Sequence, residues 1–228
     1  MVDKICVIPA RLGSKRIVKK NTRIFFGKPL IWWTINAAIK SNIFSDIIVS
    51  SDDEDVLNLA DRLNVTRFSR MNFIDDFATS SEATIYTLSK SNKEIQDDTL
   101  IFQLLPTCPL RTSVDIKKSF EIFSQDKLIS GISGYEMCFG NPHWLLQKQK
   151  PNNINFSFPN IQELRSQDLE PLYMLSGAIW ISKYKYLIEN QAFKGDNTGL
   201  LNLSWLSCLD IDTEEELIIT EKLADLVY

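Results

Sequence analysis

The chain has 228 residues, 44% apolar and 24% charged, the make-up of one sizeable soluble domain or of one domain with an insertion. No apolar run approaches the roughly 20 residues a membrane span needs, and the N-terminus lacks a signal core and cleavage site, so a cytoplasmic protein is expected. A single histidine, His143, excludes a histidine-rich zinc site, and a pI near 5.2 with net charge −4 excludes a general nucleic-acid binder.

In chain order, Ile5-Cys6-Val7-Ile8 reads as a buried strand, too short for a helix. The chain turns at Pro9 and enters a basic loop. Asn21 to Lys28 is expected to be irregular, and Gly27-Lys28-Pro29 marks a turn before a helix from Pro29 to Ser41. A strand at Ile47–Ser50 leads into Ser51-Asp52-Asp53 and a helix reaching about Leu63, whose acidic first turn suits its dipole. Val65–Phe68 is a third strand. A loop carrying Arg70, Asp75 and Asp76 then precedes a helix starting at Thr79-Ser80-Ser81-Glu82 and running to about Lys93.

Leu100–Leu105 is the next strand, closed by Pro106-Thr107-Cys108-Pro109-Leu110-Arg111. An amphipathic helix over Val114–Gln125 turns Ile116, Phe120 and Phe123 to the sheet, and Leu128–Tyr135 is another strand. This alternation predicts a parallel sheet with helices on its faces. From Met137 to Pro171 it stops: Asn, Pro and Gln accumulate, with scattered aromatics that include Phe139, Trp144, Phe156 and Phe158. Such a stretch reads as an excursion, a β-rich arm or lid. A strand at Gly177–Ile181, a short helix at Lys183–Asn190, a strand ending in Ser207–Asp212 and a closing helix from Thr213 to about Val227, capped by Asp212 or Thr213, complete the chain. Cys6, Cys108, Cys138 and Cys208 form no C-x-x-C pair and are expected to be buried thiols.

Five cations, Arg11, Lys15, Arg16, Lys19 and Lys20, arrive within ten residues around Gly13-Ser14. Gly13 lets a ligand approach the backbone, and Ser14 can donate a hydroxyl. A basic loop can be no more than solvated surface. The charge distribution favours an anion site: residues 1–45 carry nine basic and one acidic residue (+8), and the remaining 183 carry 16 and 28 (−12). Local positive charge on an acidic chain suits a compact polyanion such as a nucleoside triphosphate. In a parallel sheet, this loop, Ser51-Asp52-Asp53, Pro106–Arg111 and Asp210-x-Asp212 would share the rim beyond the carboxyl ends of the strands. Asp210 and Asp212 flank Ile211, and in an extended segment both would point one way as Mg²⁺ ligands. Spacing leaves open that Asp212 only caps the last helix and Asp210 is surface. No G-x-x-x-x-G-K-[ST] and no G-x-G-x-x-G are present, which argues against a P-loop ATPase and a nicotinamide dehydrogenase.

Ile8-Pro9-Ala10-Arg11-Leu12-Gly13-Ser14-Lys15-Arg16 with Lys20-Asn21 and Gly27-Lys28-Pro29-Leu30 resembles the opening of the CMP-sialic acid synthetases. The resemblance continues at Val49–Asp53, at Pro106–Arg111, at Ser176–Trp180 and at Asp210–Glu214, over nearly the whole chain. It implies a Rossmann-like three-layer α/β/α nucleotidyltransferase fold, mostly parallel, with a dimerisation excursion over residues 137–171 in a single domain. It implies transfer of CMP from CTP to a nine-carbon 2-keto sugar acid, with Mg²⁺ and release of pyrophosphate. On that pattern Ala10, Arg11, Gly13, Ser14, Lys15, Lys20 and Asn21 hold the triphosphate and nucleotide, and Arg70 and Ser80 lie near the cytidine. Arg11, Lys15 and Lys20 serve catalysis with Asp210 and Asp212, which bind the metal. Arg111 and Arg165 with Gln167, in Arg165-Ser166-Gln167-Asp168-Leu169, belong to the sugar side.

Two positions there depart from the family: Leu105 stands where a glutamine is usual and Ser176 where an asparagine is usual. Leu105 cannot hydrogen-bond, which suggests a less polar acceptor of the legionaminic or pseudaminic type. The excursion is where such proteins form homodimers and reach a neighbouring active site, so His143 and Trp144 are expected to pack rather than catalyse. An eight-carbon acceptor of the Kdo type and a non-catalytic nucleotide- or sugar-binding homologue are the alternatives. Neither nucleic acid nor membrane is an expected partner.

Overall fold

The computed structural model of the chain describes residues 2–14, 16–71, 78–91, 93–137, 140–151, 153–158 and 164–228. Lys15, Asp75, Asp76, Cys138 and Phe139, all singled out above, lie outside them. The first strand, β1 (Lys4–Ala10), is buried at every residue after Lys4, as expected of a central strand covered on both faces. After it come a single-turn helix at Lys20–Thr22 and a small hairpin, β2 (Ile24–Phe25) and β3 (Lys28–Pro29). The hairpin, which sequence reading had left irregular, turns through Phe26 and Gly27 at φ of 44° and 75°. Two successive left-handed residues match the twist of tightly joined antiparallel strands.

Then follow α1 (Leu30–Ser41), β4 (Asp46–Ser51), α2 (Glu54–Arg62), β5 (Thr66–Ser69), α3 (Ser80–Lys90), β6 (Leu100–Gln103), α4 (Ser113–Gln125) and β7 (Ser130–Glu136). A short antiparallel pair, β8 (Leu146–Lys150) and β9 (Asn153–Phe156), precedes β10 (Tyr173–Lys183), α5 (Tyr184–Asn190), β11 (Thr198–Asn202) and α6 (Glu214–Leu223). Seven strands make one sheet in the order β11-β7-β10-β6-β1-β4-β5. Only β10 runs against its neighbours.

Period-two alternation along the strands builds the layers. Cys6, Ile8 and Phe102 face α1, α2 and α4 through Ile35, Val56 and Ile116. Ile5, Val7 and Ile101 face α3 and α5 through Leu88 and Leu187. This is the three-layer α/β/α arrangement, with α6 laid outside α1 through Leu217, Leu30 and Trp33. Among the described residues no helix is long and apolar enough to cross a membrane.

One expectation is corrected. The strand expected to end in Ser207–Asp212 is a series of turns, with Cys208 N–H bonded to the Trp205 carbonyl and Leu209 N–H to that of Leu206. The alternation of Leu209 and Ile211 reflects burial against α1 and α6 instead of sheet pairing. The strand actually present is β11, at the sheet edge beside β7, and its half-exposed Thr-Gly-Leu-Leu-Asn pattern carried little strand signal. Excursion 137–171 leaves from β7 and returns into β10 at adjacent points, where Met137 N–H bonds the Leu172 carbonyl at 3.0 Å.

Candidate active site

A cleft of about 490 Å³ opens at the carboxyl edge of β1, β4, β5 and β6, where an open parallel sheet offers its loops to a ligand. The loop after β1 supplies Ala10, Arg11, Gly13, Ser14, Arg16, Lys20 and Asn21 to its wall. Ile17, fully buried against Leu30 and Trp33, pins that loop to the body. Leu12 N–H donates to Asp52 Oδ1 at 2.8 Å and Asn21 Nδ2 to the Arg11 carbonyl at 2.9 Å, so two neighbouring elements set the loop's path.

Across the cleft stands Asp212. Its Oδ1 accepts from Lys20 Nζ at 2.9 Å and its Oδ2 meets Arg16 Nη2 at 2.6 Å, while Lys20 also donates to the Ile211 carbonyl at 2.9 Å. Burial alone would raise the Asp212 carboxyl, but the hydrogen bonds and charges of Lys20 and Arg16 outweigh it and hold the group below its usual range. The cap of α6 is Thr213, in a capping box with Glu216, and not Asp212. Asp212 is thereby free of helix duty.

Asp210 lies outside the cleft wall, open to solvent on one side. Local desolvation pushes its carboxyl up, the Thr107 hydroxyl opposes this, and the Asp212 charge adds to the rise. Ile211 N–H bonds the Thr107 carbonyl at 2.8 Å, tying the aspartate loop to the segment after β6. Among the described residues no group of three or more His, Cys, Asp or Glu could hold a metal, so the carboxylates stand as a pair.

The remaining wall joins Arg70 after β5, Thr79 and Ser80 at the start of α3, and Leu105, Pro106 and Thr107 after β6. Arg70 N–H bonds the Ser51 carbonyl at 2.8 Å, which holds this arginine at the strand ends. Arg70 is 5% exposed, and its Nε is buried without a hydrogen-bond partner among the described residues. Desolvation first, and then the Arg11 charge, lower the Arg70 pKa, with Asp52 opposing. Thr79 forms a capping box with Glu82, as the Thr-Ser-Ser-Glu run predicts.

Sequence reading placed two further residues on the acceptor side that the structure puts beneath the cleft. Arg111 is 0% exposed, and its Nη1 donates to the Leu105 and Ala178 carbonyls at 3.2 and 2.9 Å. Its guanidinium clamps the cleft floor to β10 and does not reach the wall, because neighbouring backbone carbonyls rather than solvent receive it. Ser176 is also buried, donating to the Cys208 carbonyl at 3.1 Å and accepting from Ala178 N–H at 3.1 Å. Arg165 and Gln167 stand elsewhere again. Arg165 is exposed and pairs with Asp168 at 2.8 Å, and Gln167 lines a separate hollow in the excursion with His143 and Trp144.

Lys15 falls outside the described residues. Arg16, Asp52 and Thr107 line the cleft, within the basic run and the strand-end segments expected to share its rim, though no individual role was assigned to them. Arg16 could have been found from its place in the basic run, whereas the parts of Asp52 and Thr107 depend on pairings between distant segments. Cys6, Cys108 and Cys208 are free and buried, as expected, and burial pushes the Cys208 thiol up to about 11.

A mostly parallel α/β sheet whose carboxyl edge carries clustered cations beside paired aspartates defines the class of nucleotide- and phosphate-binding α/β proteins. A family model described as cytidylyltransferase matches residues 5–130, and the chain belongs to that family. It is 33% identical to a CMP-N,N'-diacetyllegionaminic acid synthase of Legionella pneumophila, over 97% of this chain and 96% of that protein. It is 34% identical to a pseudaminic acid cytidylyltransferase of Campylobacter jejuni, over 95% of this chain and 94% of that protein. Among solved structures, a CMP:2-keto-3-deoxy-manno-octonic acid synthetase complexed with CTP superposes with a TM-score of 0.72 at 16% identity, covering 98% and 99% of the two chains. That likeness shows the shared nucleotidyltransferase fold.

Proposed function

We propose that the protein transfers CMP from CTP to a nine-carbon 2-keto sugar acid of the legionaminic or pseudaminic type, releasing pyrophosphate. The observation that carries this reading is the cleft itself, with Arg11, Arg16 and Lys20 on its wall and Asp212 among them. The legionaminic and pseudaminic names of its relatives support the acceptor class.

Displacement at an α-phosphorus needs charge neutralisation and alignment more than a covalent intermediate. Arg11 and Lys20, with the Gly13-Ser14 backbone, hold the triphosphate; Ala10, Asn21, Arg70 and Ser80 hold the nucleoside; Lys15 completes the basic loop. Asp212 keeps Lys20 and Arg16 extended over the cleft before a ligand arrives. Asp210 and Asp212 fit Mg²⁺ by the chemistry of the donor set: both are carboxylate oxygen donors two residues apart, beside the cleft cations. Bound by this pair, Mg²⁺ supplies positive charge to the departing pyrophosphate.

On the acceptor side Leu105 presents an apolar wall, packed so closely on Gly177 that a Cβ there would sit 2.4 Å from Leu105 Cδ1. Arg165 and Gln167 stand away from their own cleft, on an arm with exposed Leu146, Ile154 and Phe156. A homodimer would bury those apolar residues and bring the arm to the partner's cleft. Use of CTP is compatible with a cytoplasmic setting for the reaction.

The test is pyrophosphate release from CTP and Mg²⁺ with N-acetylneuraminic, legionaminic, pseudaminic and Kdo acids, using ATP and UTP as controls. Turnover with CTP and one nine-carbon acid is expected. Turnover with Kdo alone would move the acceptor to the eight-carbon class, and CTP binding without turnover on any acid would leave a non-catalytic homologue.

A further inference from the structure

Behind the cleft wall lies a chain of polar side chains that touches no solvent. Gln103, the last residue of β6, is 0% exposed, so both ends of its amide must be satisfied inside the protein. Thr84 Oγ1, equally buried on α3, donates to Gln103 Oε1 at 2.8 Å. With the carbonyl end so engaged, the amide presents Nε2 to Ser80, and this N–H donates to Ser80 Oγ at 3.1 Å. Ser80 is the first residue of α3 and stands on the cleft wall. A hydroxyl has one proton and two lone pairs. Gln103 takes one lone pair, so the Ser80 proton cannot turn back toward the amide; that proton and the second lone pair are left to the side away from Gln103.

We infer that Gln103 is a positioning residue that keeps the Ser80 proton from turning inward and so inclines it toward the pyrimidine, favouring cytosine over uracil. The inference rests on the nucleotide reading given above. Cytosine carries adjacent acceptors at O2 and N3, whereas uracil carries a proton at N3. A Ser80 proton aimed at N3 is received by cytosine and meets another proton on uracil, whereas O2 accepts in both bases. Arg70 lines the same wall, and its guanidinium brings further N–H donors to that side of the cleft. A site that offers donors suits the base richer in acceptors on that edge, and the mismatched base leaves a desolvated donor unpaired. Thr84 acts one step further back, because its hydroxyl sets which end of the Gln103 amide faces Ser80.

Binding of CTP and UTP to the full chain, followed by calorimetry, tests this without knowledge of the acceptor. The unaltered protein should prefer CTP by on the order of tenfold or more. Gln103→Glu keeps the shape but can only accept from Ser80, turning the proton inward, and should reduce the CTP/UTP ratio about tenfold. Gln103→Met, which releases the hydroxyl to rotate, should reduce it by a smaller factor, and its result decides if Gln103→Glu fails to fold. In a Ser80→Ala background, Gln103→Glu should leave the ratio where Ser80→Ala put it.

An equal loss of affinity for both nucleotides would mark Gln103 as structural and overturn the inference. So would an unchanged ratio in a variant that melts normally. A preference for UTP in the unaltered protein would show the amide facing the other way. Absence of CTP binding would overturn the nucleotide reading together with this one, while CTP binding with an unmoved ratio would overturn this one alone.

Discussion

The sheet body and the arm between Met137 and Leu172 treat their apolar residues in opposite ways. In the body, Ile8, Ile101 and Phe102 are fully buried between helices. In the arm, Ile154 is 55% and Phe156 39% exposed, on a two-stranded unit whose strands carry no buried residue. An isolated two-stranded hairpin is at best marginally stable in water. The body therefore makes its own core and its own cleft, while the arm has the surface of an element that docks. The contrast separates the proposed nucleotide cleft, which one chain builds by itself, from a surface that a second copy would cover.

Breaking the chemistry of the body should have the largest effect. Asp210→Ala is expected to lower turnover about a hundredfold or more, the loss typical when one charge-stabilising group is removed. Steady-state pyrophosphate release measures it, and full activity in this variant would remove the metal pair from the mechanism. Phe102→Ala, which empties a site edge-on to Phe44 at 5.0 Å, should cost about 3–5 kcal/mol of stability in denaturant titration. Phe156→Asp sharpens the comparison from the other side. It should shift sedimentation from dimer toward monomer while CTP binding stays intact; a dimer that persists would assign the arm another task.

The smallest effects concern acid. Asp212 has a lowered pKa, so it favours the folded state above its unfolded value near 3.8, and that contribution disappears as pH falls through the still lower folded value. The melting temperature of the unaltered protein should fall more steeply below about pH 4 than that of Asp212→Asn. Asp210 has the opposite sign. Its raised pKa means that the ionised form weighs against folding, so Asp210→Asn should melt slightly higher at pH 7. A lower melting temperature would show that the Thr107 contact outweighs the desolvation and the Asp212 charge.

Much of the fold was legible because its signals are local. Ile5 to Ile8 announces a buried strand, and Thr79 with Glu82 announces a helix start, each within a few residues. The basic loop was legible for the same reason, since its charges are consecutive. Arg111 was not, because a guanidinium buried among the carbonyls of Leu105 and Ala178 depends on a strand 67 residues further on. The Asp210-Ile211-Asp212 step showed the apolar alternation of a strand, yet Ile211 owes its burial to α1 and α6. Gln103 and Thr84 carried no signal at all: their alignment arises only when α3 lies across β6.

The antiparallel strand β10 runs from the arm into the middle of the sheet, between β7 and β6. Its outer half pairs with β7 through Tyr173 and Leu175, and the register shifts before Trp180. At that irregular stretch the Gly177 carbonyl accepts from Leu105 N–H at 3.2 Å, on the cleft floor. One continuous backbone thus serves as both stem of the arm and brace of the cleft floor. In the homodimer proposed above, a force applied to the stem would arrive at Gly177, and quaternary contact and acceptor fit would be two ends of a single lever.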